Sequence, residues 1–171
     1  GINIVDCGRG RIIRPYVHDI DWFKAPDPLS EQVVGLWLQG CTNVSVTDPV
    51  IRNLTGSTTV TAGRTGETTY QTDGLAISGC SGVTVVGGRI TDCWEGSDVS
   101  GTGTNSNIWF FGTVYEDIDA YGQKWVHEVL DSGAVGCRAY RCGYTGFVVA
   151  GGTAPVDSFG PTNLRLTACM A

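Results

Sequence analysis

The stretch GLAISGCSGVTVVGGRITDC, Gly74 to Cys93, alternates apolar residues with others in two short runs, Leu75/Ile77 and Val83/Val85, separated by Gly79-Cys80-Ser81-Gly82. Strands turn successive side chains to opposite faces, and Gly and Ser favour tight turns. The pattern therefore predicts strand, corner, strand, corner, with Ile90 and Cys93 closing the unit. The same order returns along the chain. Gly1 to Cys7, Gly35 to Cys41 and Gly74 to Cys80 share Gly, apolar, any, apolar, any, small or polar, Cys. A second strand follows at Ile12-Ile13, Val44/Val46 and Val83/Val85, with further copies at Ile108/Phe110, Gly133-Ala134-Val135 and Leu164/Leu166. A third runs Val17 to Ile20, Ile51 to Leu54, Ile90 to Cys93, Tyr115 to Ile118 and Ala139 to Cys142.

Once inserted loops are set aside, the units repeat at spacings in the low-to-high twenties. That length lets three short strands and three turns complete one circuit. A unit unable to bury its own inner face must stack on its neighbours. The prediction is an all-β, right-handed parallel β-helix (solenoid) of about six coils, one domain over 1–171. The first and last coils read as incomplete, as in a segment of a longer helix. A sandwich or jelly roll shares the alternation but does not explain why Gly, the apolar pair and Cys return in one order.

Insertions at 22–32, with Pro26 and Pro28, and at Thr/Gly-rich 55–72 fall after the third strand, and 151–161 occupies the equivalent corner later. All three are expected to project from one side, where solenoids place binding loops. The net charge of −6 argues against a nucleic-acid partner, which needs a basic face, and fits a neutral or mixed glycan better than a polyanion. No apolar run is long enough to cross a bilayer as a helix, so no membrane partner is expected. The seven cysteines cannot all pair within one chain. Cys7, Cys41 and Cys80 share one corner while Cys93 and Cys142 share the third strand, which predicts buried thiol ladders, with no metal motif of the CxxC kind.

Candidate chemistry sits at two places. The third-strand corner reads Asp19, Asn53, Asp92, Asp117 and Arg141 in successive coils. Such a stack commonly satisfies turn backbone, yet Asp92 and Asp117 on adjacent coils also have the spacing of a glycosidase carboxylate pair, with Glu116 and Arg141 beside them. The second place is Trp94-Glu95-Gly96-Ser97-Asp98, read as the corner after a third strand. There Trp94 could stack on a sugar face. Trp37, Trp109 and Trp125 alternate with the apolar ladder and are candidates for an outward aromatic stripe. His127-Glu128, near Asp131, lacks a nucleophile partner and reads as a corner histidine.

The repeats resemble the pectin lyase-like superfamily, the right-handed β-helix proteins that include pectate lyases, polygalacturonases, alginate epimerases and phage tailspikes. Gln71-Thr72-Asp73-Gly74 is similar to the NTDG element of polygalacturonase-type hydrolases, which implies an acid role for Asp73. The chain departs from that pattern: Glu95-Gly96-Ser97-Asp98 stands where those enzymes have an adjacent Asp pair, and Gly-His-Gly and Arg-Ile-Lys are absent. A lyase of the family would need Ca²⁺ on an acidic cluster plus a basic residue, for which Arg89, Arg138 and Arg141 are candidates; otherwise no cofactor is expected. The resemblance is greatest to tailspikes and tail fibres. It implies a virion-surface or extracellular protein, trimeric and assembled with other virion proteins, binding host polysaccharide with or without cleaving it. The alternatives are a secreted glycosidase or lyase and a purely structural protein. The expected catalytic residues are Asp73, Asp92, Glu95 and Asp117; the expected substrate contacts are Trp94, Asp98, Glu116 and Arg141.

Overall fold

A computed structural model describes residues 1–22, 33–56, 72–101, 103–151 and 160–171. The first coil comprises β1 (Ile2–Val5), β2 (Gly10–Ile13) and β3 (Tyr16–Trp22); the second, β4 (Val33–Gln39), β5 (Val44–Thr47) and β6 (Val50–Gly56). The third begins with β7 (Thr72–Ser78) and β8 (Thr84–Val86), and β9 (Arg89–Val99) leads into the fourth. There follow β10 (Asn105–Ser106), β11 (Trp109–Phe111) and β12 (Val114–Val126), then β13 (Val129–Leu130), β14 (Gly133–Val135) and β15 (Arg138–Cys142). The last two are β16 (Thr145–Ala150) and β17 (Arg165–Thr167). Second strands stack as β17-β14-β11-β8-β5-β2, while first and third strands share a nine-stranded sheet. Every strand pair is parallel among the described residues.

Register follows the repeats read from sequence. Leu36 pairs with Leu75, Val46 with Val85, Val85 with Phe110, and Phe110 with Ala134. Val17, Ile51, Ile90, Tyr115 and Ala139 form the third-strand row. Leu36, Leu75, Val46, Val85, Ile90 and Phe110 are fully buried, and each such side chain contributes roughly 1.5–3 kcal/mol of hydrophobic stabilisation. The chain is thus a parallel β-helix with its core along the inside of the coils. No cysteine is in a disulfide. The Cys41 amide donates to Cys80 Sγ at 3.3 Å, and burial raises the Cys80 thiol pKa.

Three sequence expectations are corrected. Where no loop intervenes, the third strand runs straight into the next first strand, so Trp94 to Asp98 lie within β9 and not at a corner. Trp125 does not join an outward stripe: it is fully buried, edge-to-face with Phe110 at 5.6 Å. Loop edges also shift, since Trp22, Thr55 and Thr72 belong to strands; most of the three predicted projecting loops lies outside the described residues.

The strand-to-strand transition passes through a crease. A Cβ on Gly74 would stand 2.2 Å from Ile90 Cγ2, and one on Gly96 would stand 2.3 Å from the Gly122 carbonyl oxygen. Both glycines therefore face inward, as do Leu75 and Ser97 immediately after them. Two successive inward residues break the strand alternation. The side chains of Asp73 and Glu95, just before each crease, are left on the outer face. The break also explains Trp125, since Gly122 resets the parity and turns Gln123 and Trp125 inside. Below the crease the inner row changes from Leu75 to Ser97 and Gln123. Gln123 Nε2 donates to Tyr115 Oη at 3.1 Å, and the Ser97 and Tyr115 hydroxyls lie 3.0 Å apart.

Candidate functional site

Asp73 on β7 pairs in register with Glu95 on β9, while Ala76 pairs with Asp98 and Asp98 with Lys124 on β12. Parallel stacking thereby converts residues far apart in sequence into neighbours on three successive coils. One carboxylate oxygen each from Asp73, Glu95 and Asp98 lies within 4.8 Å of the other two. Lys124 Nζ stands 2.5 Å from Glu95 Oε2 and 3.4 Å from Asp98 Oδ2, and Asp98 Oδ2 also accepts from Ser100 Oγ at 2.7 Å. Asp73 is wholly buried, and among the described residues neither of its oxygens has a hydrogen-bond partner; nor has Asp98 Oδ1.

Burial disfavours charge on Asp73 and Glu95, and among the described residues one cation, Lys124, answers the three carboxyls. Burial, then the charges of Asp98 and Glu95, push the Asp73 pKa well above its ordinary 3.8 despite Lys124. Burial also raises Glu95, against the opposing pull of Lys124. For Lys124, burial alone would lower the pKa; Asp98 and then Glu95 outweigh it and hold the ammonium charged. The set therefore contains an acid that holds its proton more tightly than usual beside an ion pair. Such divergence between neighbouring titratable groups marks candidate acid–base sites.

Aromatic residues lie next to Glu95 along the chain and across the sheet. Tyr121 follows Glu95 in register on the next coil. Its ring lies 5.7 Å from that of Tyr144, which in turn meets Trp94 edge-on at 6.2 Å. Tyr144 is 64% exposed. Trp37, half-buried, shares the outer row of Ala76, Asp98 and Lys124, whereas Trp109 lies on the second-strand sheet, so these tryptophans do not form one stripe.

The other predicted residues assemble elsewhere. Asp92 and Asp117 occupy left-handed corner positions, φ 52° and 55°. Arg141 donates to Asp117 at 2.5 and 2.8 Å and to Glu116 at 2.6 Å; Arg89 also pairs with Glu116. Asp92 accepts from Thr91 Oγ1 at 2.7 Å. The Arg141 hydrogen bonds hold Asp117 below its ordinary pKa. This patch borders an open 290 Å³ groove with Arg52 and Asn53, and the structure does not bring it together with Asp73, Glu95 and Asp98. The basic residue that does join the acids is Lys124, not Arg89, Arg138 or Arg141. Lys124 sits in Tyr121-Gly122-Gln123-Lys124-Trp125, which has no recognisable motif; only its register with Asp98 points to it.

Fold and site define the class: a parallel β-helix with a buried acid–lysine set on its outer wall. Comparison with protein-family models, curated proteins and solved structures produced no match.

Proposed function

We propose that this β-helix binds a polysaccharide along its outer wall and cleaves glycosidic bonds at Asp73, Glu95 and Asp98. The observation that carries this reading is the register that seats a proton-holding Asp73 beside two carboxylates and a partly exposed Trp94–Tyr121–Tyr144 group. Aromatic faces pack against sugar rings, and a flat solenoid wall suits a linear polymer. Asp73 donates its proton to the glycosidic oxygen as the bond from the anomeric carbon to that oxygen breaks. Asp98, through its unpartnered oxygen, forms the covalent glycosyl intermediate. Water later cleaves that intermediate, giving its proton back to Asp73. Retaining pairs stand about 5–5.5 Å apart and inverting pairs about 6.5–9.5 Å. With one oxygen of each acid within 4.8 Å of the others, the proposed course is the retaining one. Lys124 pairs with both Glu95 and Asp98. Held protonated, it is unsuited to the proton abstraction a lyase requires, which favours hydrolysis over elimination. In this reading the partner is a cell-surface glycan and the protein works outside a cell, as a virion spike of the tailspike type or a secreted enzyme.

The test is reducing-end release from a panel of capsular and cell-wall polysaccharides. D73N should lower it by about 10²–10⁴-fold while leaving glycan binding in place. Wild-type rates in D73N, or no binding to any glycan by the folded protein, would overturn the reading.

A further inference from the structure

With 17 Asp and Glu against 11 Lys and Arg, carboxylate partners for an exposed arginine are plentiful in this chain. Arg89 and Arg141 take them, on Glu116 and Asp117, and Arg52 donates to Tyr16 Oη at 2.6 Å. Arg9 and Arg11 do not. Both are exposed, and among the described residues neither has an ion-pair or hydrogen-bond partner. The acids at the neighbouring corners, Asp6 and Asp48, lie over glycines of the coil that follows. A Cβ on Gly40 would stand 2.3 Å from Asp6 Oδ1, and one on Gly87 would stand 2.4 Å from Asp48 Oδ1.

The fold sets the two arginines side by side. Gly10 between them faces inward, since a Cβ there would stand 3.2 Å from Cys7 Sγ. Arg9 and Arg11 therefore turn outward, about 6.6 Å apart along the extended chain. On the next coil Val44 pairs with Gly10 and is buried, so Asn43 and Ser45 turn outward beside the arginines. These four side chains, with Gly10, line an open groove of about 510 Å³ on the outer wall of the second-strand sheet, and no carboxyl among the described residues lines it.

From this arrangement we infer that Arg9, Arg11, Asn43 and Ser45 form a binding site for a dianionic phosphate group, either free or carried by a sugar as a monoester. The donors select the anion. Each guanidinium offers a planar fork for two oxygens, and the Ser45 hydroxyl and Asn43 amide add further donors. A carboxylate has only two oxygens and about four lone-pair sites, fewer than these donors can fill. A phosphate monoester presents three terminal oxygens, and its two negative charges match the two guanidinium charges. The site lies on a different sheet from Asp73, Glu95 and Asp98, and it does not rest on the glycan-cleaving reading.

The test is titration of the protein with inorganic phosphate, glucose 1-phosphate and acetate at constant ionic strength, followed by calorimetry and by the arginine Nε–H resonances. Phosphate and glucose 1-phosphate should bind saturably and shift two arginine resonances, one missing in R9M and the other in R11M. Acetate should bind at least tenfold more weakly. R9M and R11M should each lose about tenfold in phosphate affinity. R165M, in the same outer row as Arg11 but on the far coil, should match the wild type. All three arginines are exposed, so each variant should keep the parent's circular dichroism. Affinity for glucose 1-phosphate should rise from about pH 5 to pH 7.5, because a monoester gains its second charge with a pKa of about 6 while arginine stays charged throughout. Tighter binding of glucose 1-phosphate than of phosphate would assign the ester as ligand, and equal binding the free anion. Absence of saturable binding by either at millimolar concentrations, acetate binding as tightly as phosphate, or wild-type affinity in R9M and R11M would overturn the inference. Each of these results leaves the D73N depolymerisation assay free to succeed or fail by itself.

Discussion

β9 and β12 each carry acid–base residues at two places, a few positions apart, with opposite character. At the third-strand corner, Asp92 and Asp117 are exposed, and Asp117 is gripped by Arg141. Past the crease, Glu95 and Asp98 are buried beside Asp73, and Lys124, which answers them, is itself largely covered. Residue type and strand are shared; solvent access is what differs. At the corner water screens each charge and a flexible arginine answers it, so Asp117 is lowered in pKa. Beneath the wall Asp73 is raised, with burial the largest cause. A stack of acids in a β-helix sequence therefore says little about chemistry until its depth is known.

The sharpest way to break this comparison is to remove the cation from each place. K124M should destabilise the fold by about 3–5 kcal/mol, because it strands buried carboxylates. R141M should leave denaturant midpoints within experimental scatter, since exposed ion pairs contribute little. Equal effects would erase the distinction. Next in size is G96A, whose methyl would press on the Gly122 carbonyl and Tyr115 and should cost roughly 1–3 kcal/mol, read by urea unfolding.

The two places should also respond to pH with opposite signs. Asp73 binds its proton more tightly folded than unfolded, so its contribution is full below pH 3.8 and lost as pH rises through its elevated folded range. Asp117 contributes above 3.8 and loses that contribution as pH falls through its lowered folded range. In denaturation series across pH, D73N should remove a decline of stability toward neutral pH, and D117N should slightly reduce the decline toward acid. Matching slopes in the two variants would contradict the assigned environments. The smallest expected effect is that of D92N at neutral pH, which exchanges an exposed corner side chain for one that also tolerates the left-handed backbone, so the midpoint should match the wild type's.

Much of the fold was legible because parallel coils stack like on like: Cys41 on Cys80, Val85 on Val46 and Ile90 on Ile51 repeat a visible order. Asp73, Glu95, Asp98 and Trp94 could each be singled out from sequence. Their grouping could not, because it depends on register across the crease, and a reading that places Glu95 at a corner cannot see Asp98 and Lys124 as neighbours. Lys124 was hidden for the same reason. Asp92 and Asp117 looked like a pair because stacking alone was considered; the left-handed backbone and the reach of Arg141 are tertiary facts. The polar inner row of Ser97 and Gln123 went unseen because inward positions were expected to be apolar.

The crease glycines give the solenoid an interchangeable socket. Val34, Asp73, Glu95, Tyr121 and Thr145 occupy the position just before the crease in successive coils, so one backbone accepts an aliphatic, an acidic, an aromatic and a hydroxyl group. A reagent can thus be exchanged, or shifted one rung along the rod, by point substitution without redesigning the rod. Y121E, which would extend the acid row by one coil, should keep the parent's strand content by circular dichroism. Loss of that content would mean the socket is less tolerant than its present occupants imply.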